Sequence, residues 1–331
     1  MWWICFPVIL GVLLIMYITL GAYIVKQALY VKKRSADIVH AQDVKFGVPD
    51  SVSILPFERV ETVGSDGYTM VASYMKARTG ESHKYFIICH GFNSNRITCN
   101  KYANILLDIG YNTLCPDMRR CGETGGKNIS FGIRESEDIE LWMDYIKAHD
   151  SEAEISLYGI SLGAASVTMV ASRRDDIKML VSYCSYASRK EIMIDRMRAG
   201  HLPRFFANML YSLVSGYMRL AFPKAKSSSD IRECIKLVKC PIIILHSTGD
   251  RFTNIRHAYM LHETRPDATM VVFEGAPHAR SYGVYQREYR EAIEDFVHAV
   301  EKGEKMEDRY ITREDGAPII STTKEDDNMT L

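Results

Sequence analysis

Net charge is absent from this chain. Its 41 Lys and Arg balance 41 Asp and Glu, so no basic excess attracts nucleic acid, and any phosphate-binding surface would have to be local. A C-x-x-C pair is missing as well. The eight cysteines (Cys5, Cys89, Cys99, Cys115, Cys121, Cys184, Cys234 and Cys240) are scattered, several of them inside apolar runs. That dispersal argues against a zinc or redox centre and for reduced core residues in a reducing compartment. Between Trp2 and Val25 there is no charged side chain at all. As a helix rising about 1.5 Å per residue, those residues reach about 36 Å, enough to cross a hydrocarbon core of about 30 Å. The start has no basic n-region and no A-x-A site follows, so residues 1–25 are expected to be an uncleaved transmembrane anchor rather than a signal peptide. The first basic residues, Lys26, Lys32, Lys33 and Arg34, lie behind it. By the positive-inside tendency they put the remainder on the cytoplasmic side of the cell membrane, with Trp2, Trp3 and Tyr30 suited to the interfaces.

What is present reads as one large domain, which 331 residues can hold with a well-buried core. Residues 26–55 are expected to be a mixed juxtamembrane connector with helix near the membrane, and residues 56–303 the domain. Arg59 to Val63 and Tyr68 to Met75 are β-rich runs, joined by Gly64-Ser65-Asp66-Gly67, whose Asp-Gly step favours a hairpin. Tyr85 to Cys89 is continuously apolar, as in a parallel strand buried on both faces. Further strands are expected at 113–116, 155–158, 179–184, 242–246 and 270–273, and helices at 98–109, 133–148, 162–172, 255–264 and 286–301. A hairpin followed by this alternation predicts an α/β fold, a mostly parallel sheet with helices on both faces. Residues 189–239 interrupt the rhythm without a strand and read as a helical cap insertion. In it Phe206, Leu210, Leu213 and Tyr217 recur at helical spacing, widened by Phe205, Met209, Val214 and Met218; this face either packs the cap onto the core or lines an apolar pocket. The polar tail, 304–331, is expected to be disordered.

The chemistry centres on Glu154 to Ala165, reading EISLYGISLGAA. A strand pattern runs into Gly159-Ile160-Ser161-Leu162-Gly163 and then into an apolar helical pattern, which is a G-x-S-x-G elbow in its proper context. Serine attacks only when a base takes its proton and a third group holds the base. Two loops beyond later strand ends supply candidates: Asp250 in Ser247-Thr248-Gly249-Asp250, and His278 in Glu274-Gly275-Ala276-Pro277-His278. The order Ser161, Asp250, His278 is that of an α/β-hydrolase triad. His90-Gly91-Phe92-Asn93 follows a buried strand, where the Phe92 N–H, with that of Leu162, can face a developing oxyanion. His257 and His262, five apart on a helix, fall on different faces and make no metal pair, and His246 reads as a core residue.

With these pieces in place, Phe57 to Gly303 resembles the α/β-hydrolase superfamily, within it the serine aminopeptidase-like (S33, monoacylglycerol lipase-like) group. Asp117-Met118-Arg119-Arg120-Cys121-Gly122-Glu123-Thr124-Gly125-Gly126 resembles the D-x-R-G-H-G-x-S-x-G loop of that group, with Arg120, Cys121 and Thr124 departing from it beside the pocket. Ile129 to Gly132 and Glu135 to Trp142 are similar to membrane-anchored bacterial members. The resemblance implies an ester, thioester or amide hydrolase working through an acyl-enzyme. The expected protein is thus a membrane-anchored serine esterase of a small-molecule or lipid acyl substrate, needing no metal or organic cofactor. An aminopeptidase, with Glu191, Asp195 or Glu233 holding the substrate amine, and a non-catalytic ligand-binding protein are the alternatives. Oligomeric state is not legible.

Overall fold

The computed structural model describes residues 2–30, 32–221 and 230–312. In chain order its elements begin with α1 (Trp2–Leu29), α2 (Ala36–Lys45) and α3 (Asp50–Ser53), then β1 (Glu58–Val63), β2 (Thr69–Met75) and β3 (Lys84–Cys89). A short 3₁₀ turn leads into α4 (Asn100–Asp108), β4 (Asn112–Pro116), α5 (Ile133–His149), β5 (Glu154–Ile160), α6 (Leu162–Ala171) and β6 (Ile177–Tyr183). Next come α7 (Arg189–Ala199), α8 (Arg204–Ala221) and α9 (Ile231–Leu237). The chain returns through β7 (Ile242–Ser247), α10 (Arg256–Thr264), β8 (Thr269–Phe273), α11 (Ser281–Val284), α12 (Gln286–Lys302) and β9 (Arg309–Ile311).

The strands form one sheet in the order β1-β2-β4-β3-β5-β6-β7-β8-β9. β2 runs antiparallel to both its neighbours, β1 and β4, and every other pairing, from β4–β3 across to β8–β9, is parallel. This is the α/β-hydrolase fold. The apolar runs reflect burial on both faces: along β3, Ile87 and Cys89 join one core layer while Phe86 and Ile88 join the other. β5 does the same, with Ile155 and Leu157 on one side and Tyr158 and Ile160 on the other. Fully burying each such aliphatic side chain contributes about 1.5–3 kcal/mol, so a central strand is stabilised from both layers at once.

Three regions differ from the sequence expectation. Residues 36–53, expected within a mixed connector with helix only near the membrane, fold as α2 and α3 against the domain. Val39 is buried there, and Asp43 is buried against Lys101 of α4, Nζ to Oδ1 2.6 Å. A charged residue in the buried stripe hid this helix from apolar periodicity. The polar tail expected from 304 begins with an ordered edge strand, since β9 pairs parallel with β8; the rest of that tail, 313–331, lies outside the described residues. In the insertion, α7, α8 and α9 bear out its helical character, but α8 turns only part of its apolar surface inward. Val214 and Met218 are buried, whereas Phe205, Phe206, Met209 and Tyr217 are exposed.

Candidate active site

The elbow is dictated by close approach. A Cβ on Gly159 would lie 2.4 Å from Ala164 Cα, and one on Gly163 2.1 Å from the Cys89 carbonyl oxygen, so only glycine lets α6 turn back this tightly beneath β3. Ser161, between them, takes φ 55° and ψ −113°. A non-glycine residue in that region costs of order 1–3 kcal/mol and is held there by the packing around it. The strain lifts the hydroxyl off the sheet.

Two residues from later strand ends meet it. Ser161 Oγ–H donates to His278 Nε2 at 3.0 Å, and His278 Nδ1–H donates to Asp250 Oδ2 at 2.6 Å. Each ring nitrogen thus has a defined partner, and with the proton on Nδ1 the ring presents Nε2 to Ser161 as an acceptor. Asp250 Oδ1 accepts the N–H groups of Phe252 (2.9 Å) and Thr253 (2.7 Å), so the carboxylate cannot rotate away. Burial pushes the Asp250 carboxyl up, but His278 and His246 outweigh it and hold the group well below the usual carboxylate range. His246 is the buried core residue expected, and it also stands 3.4 Å from Asp250 Oδ2 while donating from Nε2 to the Thr253 carbonyl at 2.7 Å. Phe252 packs against the His278 ring at a tilt of 37°, centroids 4.9 Å apart. Cys184 lies beside Asp250 and His278, but burial raises its thiol well above its ordinary value and keeps it protonated.

The turn after β3 closes the other side. A Cβ on Gly91 would sit 3.2 Å from Ser161 Cβ, so this loop lies against Ser161. His90 is structural: its Nδ1–H donates to the Gly91 carbonyl (2.7 Å), its Nε2 accepts the Met118 N–H (2.9 Å), and burial lowers its pKa. Phe92 and Leu162 both face Ser161 across a cavity, and the Leu162 N–H, first in α6, has no intrahelical acceptor.

Two cavities meet at Ser161. One, of about 290 Å³, is apolar, lined by Phe92, Phe131, Leu162, Tyr186, Phe252 and α7 residues Ile192, Met193 and Met197; Arg196 is its one charged wall residue. The pocket-lining helix is therefore α7, and none of the α8 residues expected as candidates contributes. The other, of about 60 Å³, is lined by Arg34, Gln42, Asp43, Asn93, His278 and Arg280 among others. The expectation that Arg120, Cys121 and Thr124 shape the pocket also fails. None of them lines either cavity; Cys121 is buried, Thr124 Oγ1 accepts the Val71 N–H at 2.9 Å, and Arg120 lies 3.7 Å over the Tyr30 ring. Their loop is organised inward by Asp117, which accepts the Arg96 and Glu123 N–H groups at 2.8 Å each.

A family model described as "Serine aminopeptidase, S33" matches residues 80–229. The Pyrococcus furiosus esterase Pf2001 superposes with a TM-score of 0.59 at 20% identity, over 73% of this chain and 92% of that one. The chain has the α/β-hydrolase fold. It is also similar to Est1E from Butyrivibrio proteoclasticus, a structure with ferulic acid bound, with a TM-score of 0.58 at 19% identity over 73% of this chain and 99% of that one. In sequence it is 25% identical over 297 residues to the uncharacterized protein YqkD of Bacillus subtilis (strain 168), covering 87% of this chain and 95% of that protein. Protein ABHD12B of Homo sapiens is 23% identical over 243 residues, 72% of this chain and 65% of that protein. Near the N-terminus of the chain, Cys5–Tyr23 of α1 is long and apolar enough to cross a membrane or to act as a signal sequence.

Proposed function

We propose that this hydrolase is a membrane-anchored serine esterase that cleaves a carboxylic acyl ester, of lipid origin by preference, through an acyl-enzyme. The observation that carries the reading is the unbroken hydrogen-bonded chain from Ser161 Oγ through His278 to Asp250, opening onto an apolar cavity. Ser161 Oγ attacks the ester carbonyl as His278 Nε2 takes its proton, and Asp250 stabilises the imidazolium without accepting a proton. The Phe92 and Leu162 N–H groups stabilise the oxyanion. His278 then protonates the departing alcohol, and a water activated by the same nitrogen releases the acid and restores Ser161. One of the similar structures is an esterase by name and another holds a bound carboxylic acid, ferulic acid, which supports an ester over an amide.

The aminopeptidase reading loses its amine-holding groups. Asp195 pairs with Arg256 and His257, Glu233 with Lys236, Glu191 faces Arg232, and none of the three lines either Ser161 cavity. Anchoring through α1, with the domain cytoplasmic, is supported by its exposed apolar surface and by the basic residues that follow. α8 lies against α1, Tyr17 Oη–H donating to the Met209 carbonyl at 2.7 Å, so the exposed Phe205, Phe206 and Leu220 would meet the bilayer beside it. The test is hydrolysis of a short aryl ester by the full chain in detergent micelles, with fluorophosphonate labelling. Ser161→Ala should abolish both; undiminished turnover in that variant would sink the reading, and labelling without turnover of any ester would favour a binding protein.

A further inference from the structure

The small cavity beside Ser161 has a charge imbalance that the esterase mechanism does not use. Asp43 Oδ1 accepts from both Lys101 Nζ (2.6 Å) and Arg280 Nη1 (3.0 Å). Arg34, next to them on the cavity wall, donates to the neutral Gln42 Oε1 at 3.1 Å, and no carboxylate among the described residues pairs with it. Two cations therefore share one carboxylate, and a third, Arg34, stands beside them without one of its own. Burial and the facing Arg280 both lower the pKa of the Arg34 guanidinium, as expected where positive charge is in excess. Arg280 is held in place by Asp43 on one side and by the Phe46 ring, 4.4 Å away, on the other, so the pair of guanidinium groups is a built feature and not two loose surface side chains.

The position of the histidine says which end of a substrate meets these cations. His278, which must protonate the leaving alcohol, lines the cationic cavity and is absent from the apolar one, whereas Leu162, on the oxyanion side, lines only the apolar one. The acyl chain then belongs in the apolar cavity and the alcohol in the cationic one. We infer that the alcohol half of the substrate carries an anionic group, a phosphate or carboxylate, which is bound by Arg34 and Arg280. The inference rests on the esterase reading and adds the chemistry of the leaving group to it. Its cavity, about 60 Å³ against about 290 Å³, suits a compact charged group and not a second acyl chain. Guanidinium forks match such oxyanions in geometry as well as charge.

The test compares hexanoylglycerol with hexanoylglycerol phosphate, both monomeric in solution, hydrolysed by the full chain in neutral detergent micelles. Wild type should favour the phosphate ester in kcat/KM by at least about tenfold, what one charge-assisted hydrogen bond contributes. Arg34→Gln should lower that ratio about tenfold, Arg34→Lys should keep part of it, and added salt should narrow it in wild type. Inorganic phosphate should raise KM for the phosphate ester. A wild-type ratio near one, or a ratio that survives Arg34→Gln, overturns the inference. So does a rate on the neutral ester that rises with inorganic phosphate while the ratio stays near one, because the cations then serve a free anion. Fluorophosphonate labelling of Ser161 in each variant reports an intact fold. Turnover of the neutral ester by wild type without anionic preference removes this inference alone, and turnover of neither ester removes the esterase reading with it.

Discussion

The two cavities at Ser161 are built by different physics. The apolar one is walled by side-chain volume: Ile192, Met193 and Met197 of α7 close it by packing against Phe131, Tyr186 and Leu162. The other is walled by directional charge, with Arg34, Asp43 and Arg280 on its wall and Lys101 behind it, held by the same Asp43 oxygen as Arg280. Volume tolerates replacement if the space is kept, whereas a fork of guanidinium groups tolerates almost none. Changes at the shared serine and its partners should therefore silence both sides together, and changes in one wall should separate them.

The largest effect is expected at the shared machinery. Asp250→Asn should lower kcat on the order of 10⁴-fold for neutral and anionic esters alike, by presenting His278 in the wrong tautomer; a loss below tenfold on either ester would break the common site apart. Next comes the elbow itself. Gly163→Ala puts a methyl 2.1 Å from the Cys89 carbonyl oxygen and should cost about 3 kcal/mol of stability in a urea titration.

Behind the apolar wall, His257 is fully buried, accepting the Ala187 N–H on Nδ1 (3.2 Å) and donating from Nε2 to Asp195 of α7 (3.1 Å). Burial lowers its pKa to about 4. The unfolded chain, with an ordinary pKa of about 6.5, binds more protons in that interval, so stability is complete above about pH 6.5 and falls as pH drops toward 4. The loss is about 3 kcal/mol from a shift to about 4. His257→Gln should reduce the slope of unfolding free energy between those pH values, leaving the part due to His90, whose pKa is lowered in the same sense. The smallest effect sharpens the contrast most directly. Met193→Trp, filling the apolar cavity, should lower kcat/KM for long acyl chains relative to short ones about tenfold and leave the preference between neutral and phosphate esters unchanged.

Most of the sheet was legible because burial on both faces leaves a continuous apolar run, as at Tyr85 to Cys89. Ser161, Asp250 and His278 could be found because each lies just past such a run, in a fixed chain order. β9 escaped notice because Arg309-Tyr310-Ile311 is an edge strand of three residues, two of them exposed. Arg34, Asp43 and Arg280 had no signal at all: they lie far apart in the chain, and charged residues of either sign read as solvated surface until the fold brings them together. The apolar face of α8 was visible, but periodicity says only that a helix has such a face, not what covers it. Arg120 and Cys121 misled for a related reason. Their loop is adjacent to the site in sequence pattern, yet Asp117 draws it inward, away from Ser161.

Arg34 is five residues beyond Leu29, where α1 ends. Fully extended, those five residues reach at most about 17 Å. With α1 in a bilayer, the site is on a short leash: Arg34, a wall of the cavity at Ser161, cannot rise further than that above the end of the helix. Such an enzyme would draw its esters from the leaflet it stands on and would be unable to serve an opposing membrane, however well the chemistry matched.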